Sequence, residues 1–133
     1  MKNFSVKLLK PQQAILSGQP EDVSITILLH AFVLDDELIA TSLRLDSINL
    51  PSVRLAELVS KSFDFPLNPK DAYIDGSIYL GHRHYPVDVE RLEFHANRHG
   101  GASLLLRGAY VFEQEAWGDT KFIYSVPISS GVV

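Results

Sequence analysis

Four of the five histidines lie within eighteen residues, and they are the side chains best suited to chemistry: His82, His84, His95 and His99. Imidazole is the commonest metal ligand in proteins and titrates near neutral pH. In an extended segment, His82 and His84 point the same way because they are two residues apart. Three histidines and one carboxylate suit zinc, iron or nickel. The candidate metal ligands are therefore His82, His84, His95 and Asp88.

The spacing around the His-x-His pair resembles half of the metal-binding cupin motif. Gly76, His82 and His84 stand at matching positions, and Asp88 stands where that motif has a glutamate. The second glycine of the motif is replaced by His95, and no histidine follows His99 to supply the later ligand. We therefore assign the chain to no family.

A structural interpretation of the same histidines is the alternative, and we favour it. Gly81-His82 is typical of a tight turn, because glycine adopts unusual backbone angles at low cost. His84 is then expected to pair across a hairpin with Tyr79, and His99 to lie in a loop beside Gly100.

The polar stretch from Glu113 to Asp119 contains the single tryptophan, Trp117. Its ring either folds back over the end of the core or stands out as an anchor for a partner, and the core role is favoured. Exposed aromatic residues are enriched at binding hot spots. The candidate binding residues are Trp117, Glu113, Glu115 and Tyr79.

The element that organises the chain is a predicted strand over Ala102–Phe112, with apolar side chains on both faces, which indicates a central position in a sheet. Upstream, two alternating runs joined by Asp35-Asp36 predict a β-hairpin. The alternation changes phase near Glu90-Arg91, which predicts a β-bulge. A short strand over residues 4–8, a loop over residues 11–21 and further strands after residues 72, 85 and 122 complete the prediction.

One helix is predicted after Ser52, which could cap it. Leu55, Leu58, Val59 and Phe63 recur at helical spacing. The fold class is therefore α+β, in the order βββ-α-ββββ. About seven antiparallel strands are expected to form a strongly curved sheet or half-open barrel with the helix packed on it, and a complete barrel is the alternative.

Composition limits the class of protein. A chain of 133 residues fits one domain over 1–133, and a net charge of −4 without a basic face argues against nucleic-acid binding. Apolar runs are too short for a membrane span, so no membrane partner is expected. The absence of cysteine fits a reducing cytoplasm.

These features favour a non-enzymatic binding module that uses no cofactor, since the sequence has neither a nucleophile elbow nor a phosphate-binding glycine loop. A bacterial inhibitor or immunity-type protein that recognises another protein fits this character. The acidic net charge of the chain slightly favours a basic partner protein. A homodimer formed through the edges of the strands is a further alternative. The alternative is a metal-dependent enzyme or small-ligand binder, with zinc or another divalent transition metal at the histidines in the barrel mouth.

Overall fold

A computed structural model describes residues 4–112, 115, 117 and 120–131, and most of them lie in β-strands. A single 3-10 turn at Val6–Leu8 precedes the first strand. The elements that follow are β1 (Pro11–Gln19), β2 (Asp22–Leu29), β3 (Phe32–Leu34), β4 (Glu37–Ile39), β5 (Ser42–Ile48), α1 (Leu55–Leu58), β6 (Lys61–Asp64), β7 (Asp75–Leu80), β8 (Arg83–Ala96), β9 (Ala102–Tyr110) and β10 (Lys121–Ser130).

Seven of these strands close a barrel in the order β8-β7-β5-β2-β1-β10-β9, and the pairing of β8 with β9 closes the ring. Neighbouring strands are antiparallel except β1 and β10, which run parallel through Ala14, Ile15 and Leu16. A ring of seven strands cannot alternate direction throughout, so one parallel pair is required. The predicted barrel is confirmed, whereas its half-open and fully antiparallel form is wrong. Alternation along a strand shows which side chains face the core, but it does not show which edges meet.

The predicted central strand is confirmed as β9, which pairs with β8 on one side and β10 on the other. The predicted bulge is also confirmed, because the register between β8 and β9 shifts between Val89 and Arg91. One extra residue at Glu90 therefore keeps the apolar side chains of β8 directed inward on both sides of the shift.

The hairpin predicted around Asp35-Asp36 is present, but its strands are interrupted. Asp35 and Asp36 have φ angles of 51° and 65°, as a two-residue hairpin turn with positive φ requires. β2 ends at Leu29 and β5 begins at Ser42, so β3 and β4 form a separate two-stranded sheet at the tip.

The predicted helix is much shorter than expected, and the fold is therefore mostly β rather than α+β. α1 covers Leu55–Leu58, whereas Phe63 belongs to β6. Ser60 has a φ of 69° and donates its N–H to Phe94 at 2.8 Å, so pairing with β8 replaces further helical turns. Ser52 accepts a hydrogen bond from the Arg54 N–H, one turn before the helix. No helix in the described ranges has the length and apolar character needed to cross a membrane.

The predictions for the N-terminal region are also corrected. The strand expected over residues 4–8 is a 3-10 turn flanked by the buried side chains of Phe4 and Leu9. The loop expected over residues 11–21 is largely β1. Pro11 is the first residue of β1, a position where a strand tolerates proline.

Buried side chains fill the barrel, and both ends are covered. At the end where β8 begins and β9 finishes lie five aromatic residues, which we call the aromatic plug: Phe4, Phe32, Tyr85, Phe112 and Trp117. At the other end, Leu50 and Leu58 are completely buried in the same core. The barrel interior is thus a packed core.

The buried Tyr110 and the half-buried Tyr124 connect the barrel to the N-terminal segment. The hydroxyl oxygens of Tyr110 and Tyr124 are 2.6 Å apart, and the Tyr124 hydroxyl donates to the Leu9 carbonyl at 3.1 Å. Because that bond uses the single Tyr124 hydrogen, Tyr110 is the donor in the pair. Burial raises the pKa of both hydroxyls above the ordinary value of 10.0, so both remain protonated near neutral pH.

Replacing Tyr124 by phenylalanine is expected to lower the free energy of unfolding by about 1–3 kcal/mol, because the Leu9 carbonyl and the Tyr110 hydroxyl both lose their partner. Tyr110→Phe is expected to cost less, about 1 kcal/mol, because Tyr124 still donates to Leu9. Urea unfolding of the two variants checks this order, and a larger loss for Tyr110→Phe would contradict the hydrogen-bond direction.

Candidate functional site

The structure places the four candidate metal ligands in series along one strand and its turn, not around one point. His82 lies in the exposed turn before β8, and His84 pairs with Tyr79 as expected, with the two rings 4.9 Å apart. His95 is eleven residues beyond His84 on β8, roughly 36 Å of extended chain, and its ring contacts Glu93 at 3.2 Å. Asp88 lies between them.

The separation has a simple cause, because residues that are close in sequence are spread out when the strand is long. No group of three His, Cys, Asp or Glu side chains in the described part of the chain is placed to hold a metal ion. Of the four candidates, the structure groups only His82 and His84 at one end of β8. In the described part of the chain, His95 and Asp88 lie apart from that pair along β8.

The candidate binding residues near the tryptophan belong to the aromatic plug and its rim. The Trp117 ring lies 4.6 Å from that of Phe4 and 4.8 Å from that of Phe112, so it covers the end of the core. Glu115 is ion-paired with Arg83 at 2.7 Å and also accepts a hydrogen bond from Tyr85.

The other two candidates are differently placed. Tyr79 is 59% exposed on the outside of β7, so a partner could contact its ring. Glu113 lies outside the described residues. A binding role for Trp117, Glu113, Glu115 and Tyr79 stays a prediction.

A groove of about 530 Å³ lies on the outer face of the barrel. It crosses β8, β9 and β10, and we call it the β8–β10 groove. Its lining residues are Leu67, Asp88, Glu90, Arg107, Gly108, Ala109, Lys121, Phe122 and Ile123. This volume lies within the range of ligand pockets in proteins.

Local features of β8 and β9 explain why the outer face is concave here. The bulge at Glu90 bends β8, and Gly108 lies opposite Val89 at the bulge. A methyl group on Gly108 would overlap the Asp88 carbonyl oxygen, so glycine allows the two backbones to approach. Ala109 adds little bulk, and small residues therefore form the groove floor.

Apolar side chains stand on two sides of this floor. Ile123 projects from β10 and is 67% exposed, and Leu67 projects from the loop after β6 and is 43% exposed. Both are unusually exposed for large aliphatic residues, which are among the most often buried in proteins. A concave surface with exposed aliphatic walls can bury an apolar group of a ligand.

The charges of the groove are balanced. Glu90 forms an ion pair with Arg107, with 2.9 Å between the Arg107 Nε and Glu90 Oε1 atoms, and both side chains are about half exposed. Asp88 lies on the same side as Glu90, and Lys121 lies on the β10 side with Ile123. The ionisable groups among the lining residues are the carboxylates of Asp88 and Glu90 and the cations of Arg107 and Lys121.

Sequence reasoning missed this groove, although part of its signal was present. Phe122 and Val126 of β10 are apolar residues that face the core, and the alternation of a strand then directs Ile123 outward. The contribution of Leu67 could not be anticipated, because it comes from a loop whose path is set by the fold.

Comparisons with protein-family models, curated proteins and solved structures find no match to this chain. Fold alone does not define function, since function depends on the residues of a site. The function is therefore argued from the geometry of the β8–β10 groove.

Proposed function

We propose that this protein is a non-enzymatic binding module that recognises another protein through the β8–β10 groove. The observation that carries the proposal is the exposure of Ile123 beside Leu67 in a concave groove, on a barrel whose interior is filled. Apolar side chains that are central in such a surface, with charged groups around them, are typical of interface hot spots.

The balanced charges of the groove favour a partner segment with an apolar side chain and polar neighbours. Glu90 and Arg107 already pair across β8 and β9, and each retains exposed area for a further hydrogen bond. The net charge of the whole chain, −4, attracts a basic partner during encounter more than an acidic one. The groove supplies contact, and the overall charge favours association.

An inhibitor or immunity-type role fits these properties, because such a protein acts by occupying its partner and needs neither a nucleophile nor a cofactor. A cytoplasmic location is part of this proposal and is supported by the absence of cysteine.

A small ligand is the second candidate occupant of the groove, and its volume of about 530 Å³ favours this. The two candidates differ in the area they bury. A protein partner would extend beyond the groove onto the neighbouring outer surface, whereas a small ligand would contact the groove lining alone.

Ile123→Glu is expected to remove partner binding, because it replaces the most exposed apolar side chain of the groove by a charged group opposite Arg107. We expect the affinity to fall at least about tenfold, as for hot-spot truncations. The matched control is Ser125→Glu, which adds the same charge at the next outward position of β10.

The measurement is quantitative capture from extracts of the native cells with the wild-type protein and both variants, followed by titration of the purified partner. A protein retained by the wild type and Ser125→Glu but lost with Ile123→Glu would support the proposal. Equal retention by all three proteins would contradict it.

A further inference from the structure

A second binding feature lies on the other side of β8, at the edge of β6. β6 stands outside the seven-strand ring and pairs along one edge with residues Arg91–Phe94 of β8. It is the last strand in the sheet order, so no strand of the described residues pairs with its other edge. A free strand edge presents backbone N–H and C=O groups that another strand can pair with.

The hydrogen bonds of β6 show which residues face this free edge. Phe65 donates its N–H to Glu90 at 2.9 Å, so the alternation of an antiparallel ladder directs Phe63 toward β8 as well. The N–H and C=O groups of Ser62 and Asp64 then point away from β8. Both residues are exposed, and in the described ranges neither makes a backbone hydrogen bond outside the strand pairing.

A hollow of about 340 Å³ lies directly beside the same edge. Phe63, Phe65 and Pro66 give it apolar walls, and Asn49 and Ala72 lie across from them. Phe63 and Phe65 are half-buried, and the Phe63 ring is fixed against Phe94 at 6.1 Å. Unpaired backbone groups next to a rigid apolar hollow are the two requirements of recognition by strand addition.

We propose that β6 accepts an extended peptide segment of a partner protein as an added strand. The segment would pair with Ser62 and Asp64, and an apolar side chain on its inner face would enter the hollow beside Phe63 and Phe65. Its outer side chains would be polar, because they lie next to Asp64 and its ion-pair partner Arg91. This site is separate from the β8–β10 groove and does not depend on it.

A second copy of the chain fits the edge less well. A second copy could offer its own β6 only as a four-residue strand, Lys61–Asp64, whose Phe63 ring is already packed on Phe94. Two β6 strands paired edge to edge would also leave the hollow of each copy unfilled. A segment with an alternating apolar pattern satisfies both the edge and the hollow.

The test selects peptides from a displayed library of random twelve-residue sequences on the immobilised full-length protein. The dissociation constant of the tightest peptide is then measured for the wild type and for each variant. Ser62→Pro removes an N–H that faces away from β8, where an edge strand tolerates proline. It is expected to weaken binding at least about tenfold while urea unfolding stays cooperative. The matched control, Ser62→Val, keeps the N–H and should bind as the wild type does, as should Ile123→Glu.

Failure to enrich peptides with an alternating apolar pattern would overturn the proposal, and so would equal binding by Ser62→Pro. A wild-type dimer, detected by light scattering and abolished by Ser62→Pro, would assign the edge to a second copy and overturn it too. If Ser62→Pro does not fold, amide exchange on the wild type decides. The Ser62 and Asp64 amides must exchange more slowly with the selected peptide, and unchanged rates would reject the added strand.

Discussion

Replacing Phe112 by alanine is expected to lower the free energy of unfolding by about 3–5 kcal/mol and to shift the fluorescence of Trp117 to the red. Phe112 is the centre of the aromatic plug. Its ring is 4.8 Å from that of Trp117, 4.9 Å from Tyr85 and 5.3 Å from Tyr110. Alanine would leave a cavity under Trp117 and admit water to the indole. Trp117 is the single tryptophan, so its emission reports on this end alone.

Phe65→Ala is the control for this prediction. Phe65 is a half-buried phenylalanine that follows β6, and it is absent from the set of rings that contact Trp117. Its loss should destabilise the protein less and leave the emission wavelength unchanged. If Phe112→Ala kept the wild-type emission, Trp117 would not be packed in the plug, and its role as an exposed anchor would regain support.

Gly108→Ala is expected to lower the free energy of unfolding by about 3 kcal/mol, which is the upper end of the range for adding a carbon atom to a packed core. The new methyl group would overlap the Asp88 carbonyl oxygen and meet the Phe122 ring at 3.0 Å. Backbone and a packed ring both resist displacement, so β8 and β9 would have to separate where the barrel closes. The measurement is the midpoint and slope of urea unfolding.

Gly131→Ala provides the comparison, because a methyl group there would meet the Cγ2 methyl of Ile15 at 3.1 Å and the Leu16 carbonyl oxygen at 3.3 Å, contacts that a small shift just after β10 relieves. We expect this variant to lose less than about 1 kcal/mol. Similar losses for both glycines would show that close backbone approach at Gly108 does not hold the barrel closed.

The strands whose side chains alternate clearly were predictable from the sequence. β9 was placed by its two apolar faces, and the bulge at Glu90 by a phase change in the residues before and after it. The pairing of His84 with Tyr79 followed from the turn at Gly81. In each of these cases, residues adjacent in the sequence determine which way the side chains face and where the strand bends or turns. The sequence pattern and the structure therefore agree.

Closure and the short helix could not be read from the sequence in the same way. Whether β1 meets β10 depends on residues more than a hundred positions apart, such as Ala14 and Ile128. Phe63 suits both a helical stripe and a strand, and pairing of β6 with β8 decides between them. Tertiary contacts therefore override local propensity there.

The candidate site shows the same division. The histidines indicated a metal site because they are close in sequence, but an extended strand separates His84 from His95. The residues that form the groove are ordinary in type, and Ile123 becomes notable only when its exposure is known. A single apolar residue on an outer face is common, so sequence alone gave no reason to select it.

Hydrogen–deuterium exchange of the protein, alone and bound to the partner captured by the wild type but not by Ile123→Glu, tests the central claim most directly. If the β8–β10 groove is the recognition surface, protection will be strongest in peptides that contain Asp88–Glu90, Arg107–Ala109 and Lys121–Ile123. Protection confined to the turn at His82 or to the segment around Trp117 would contradict it.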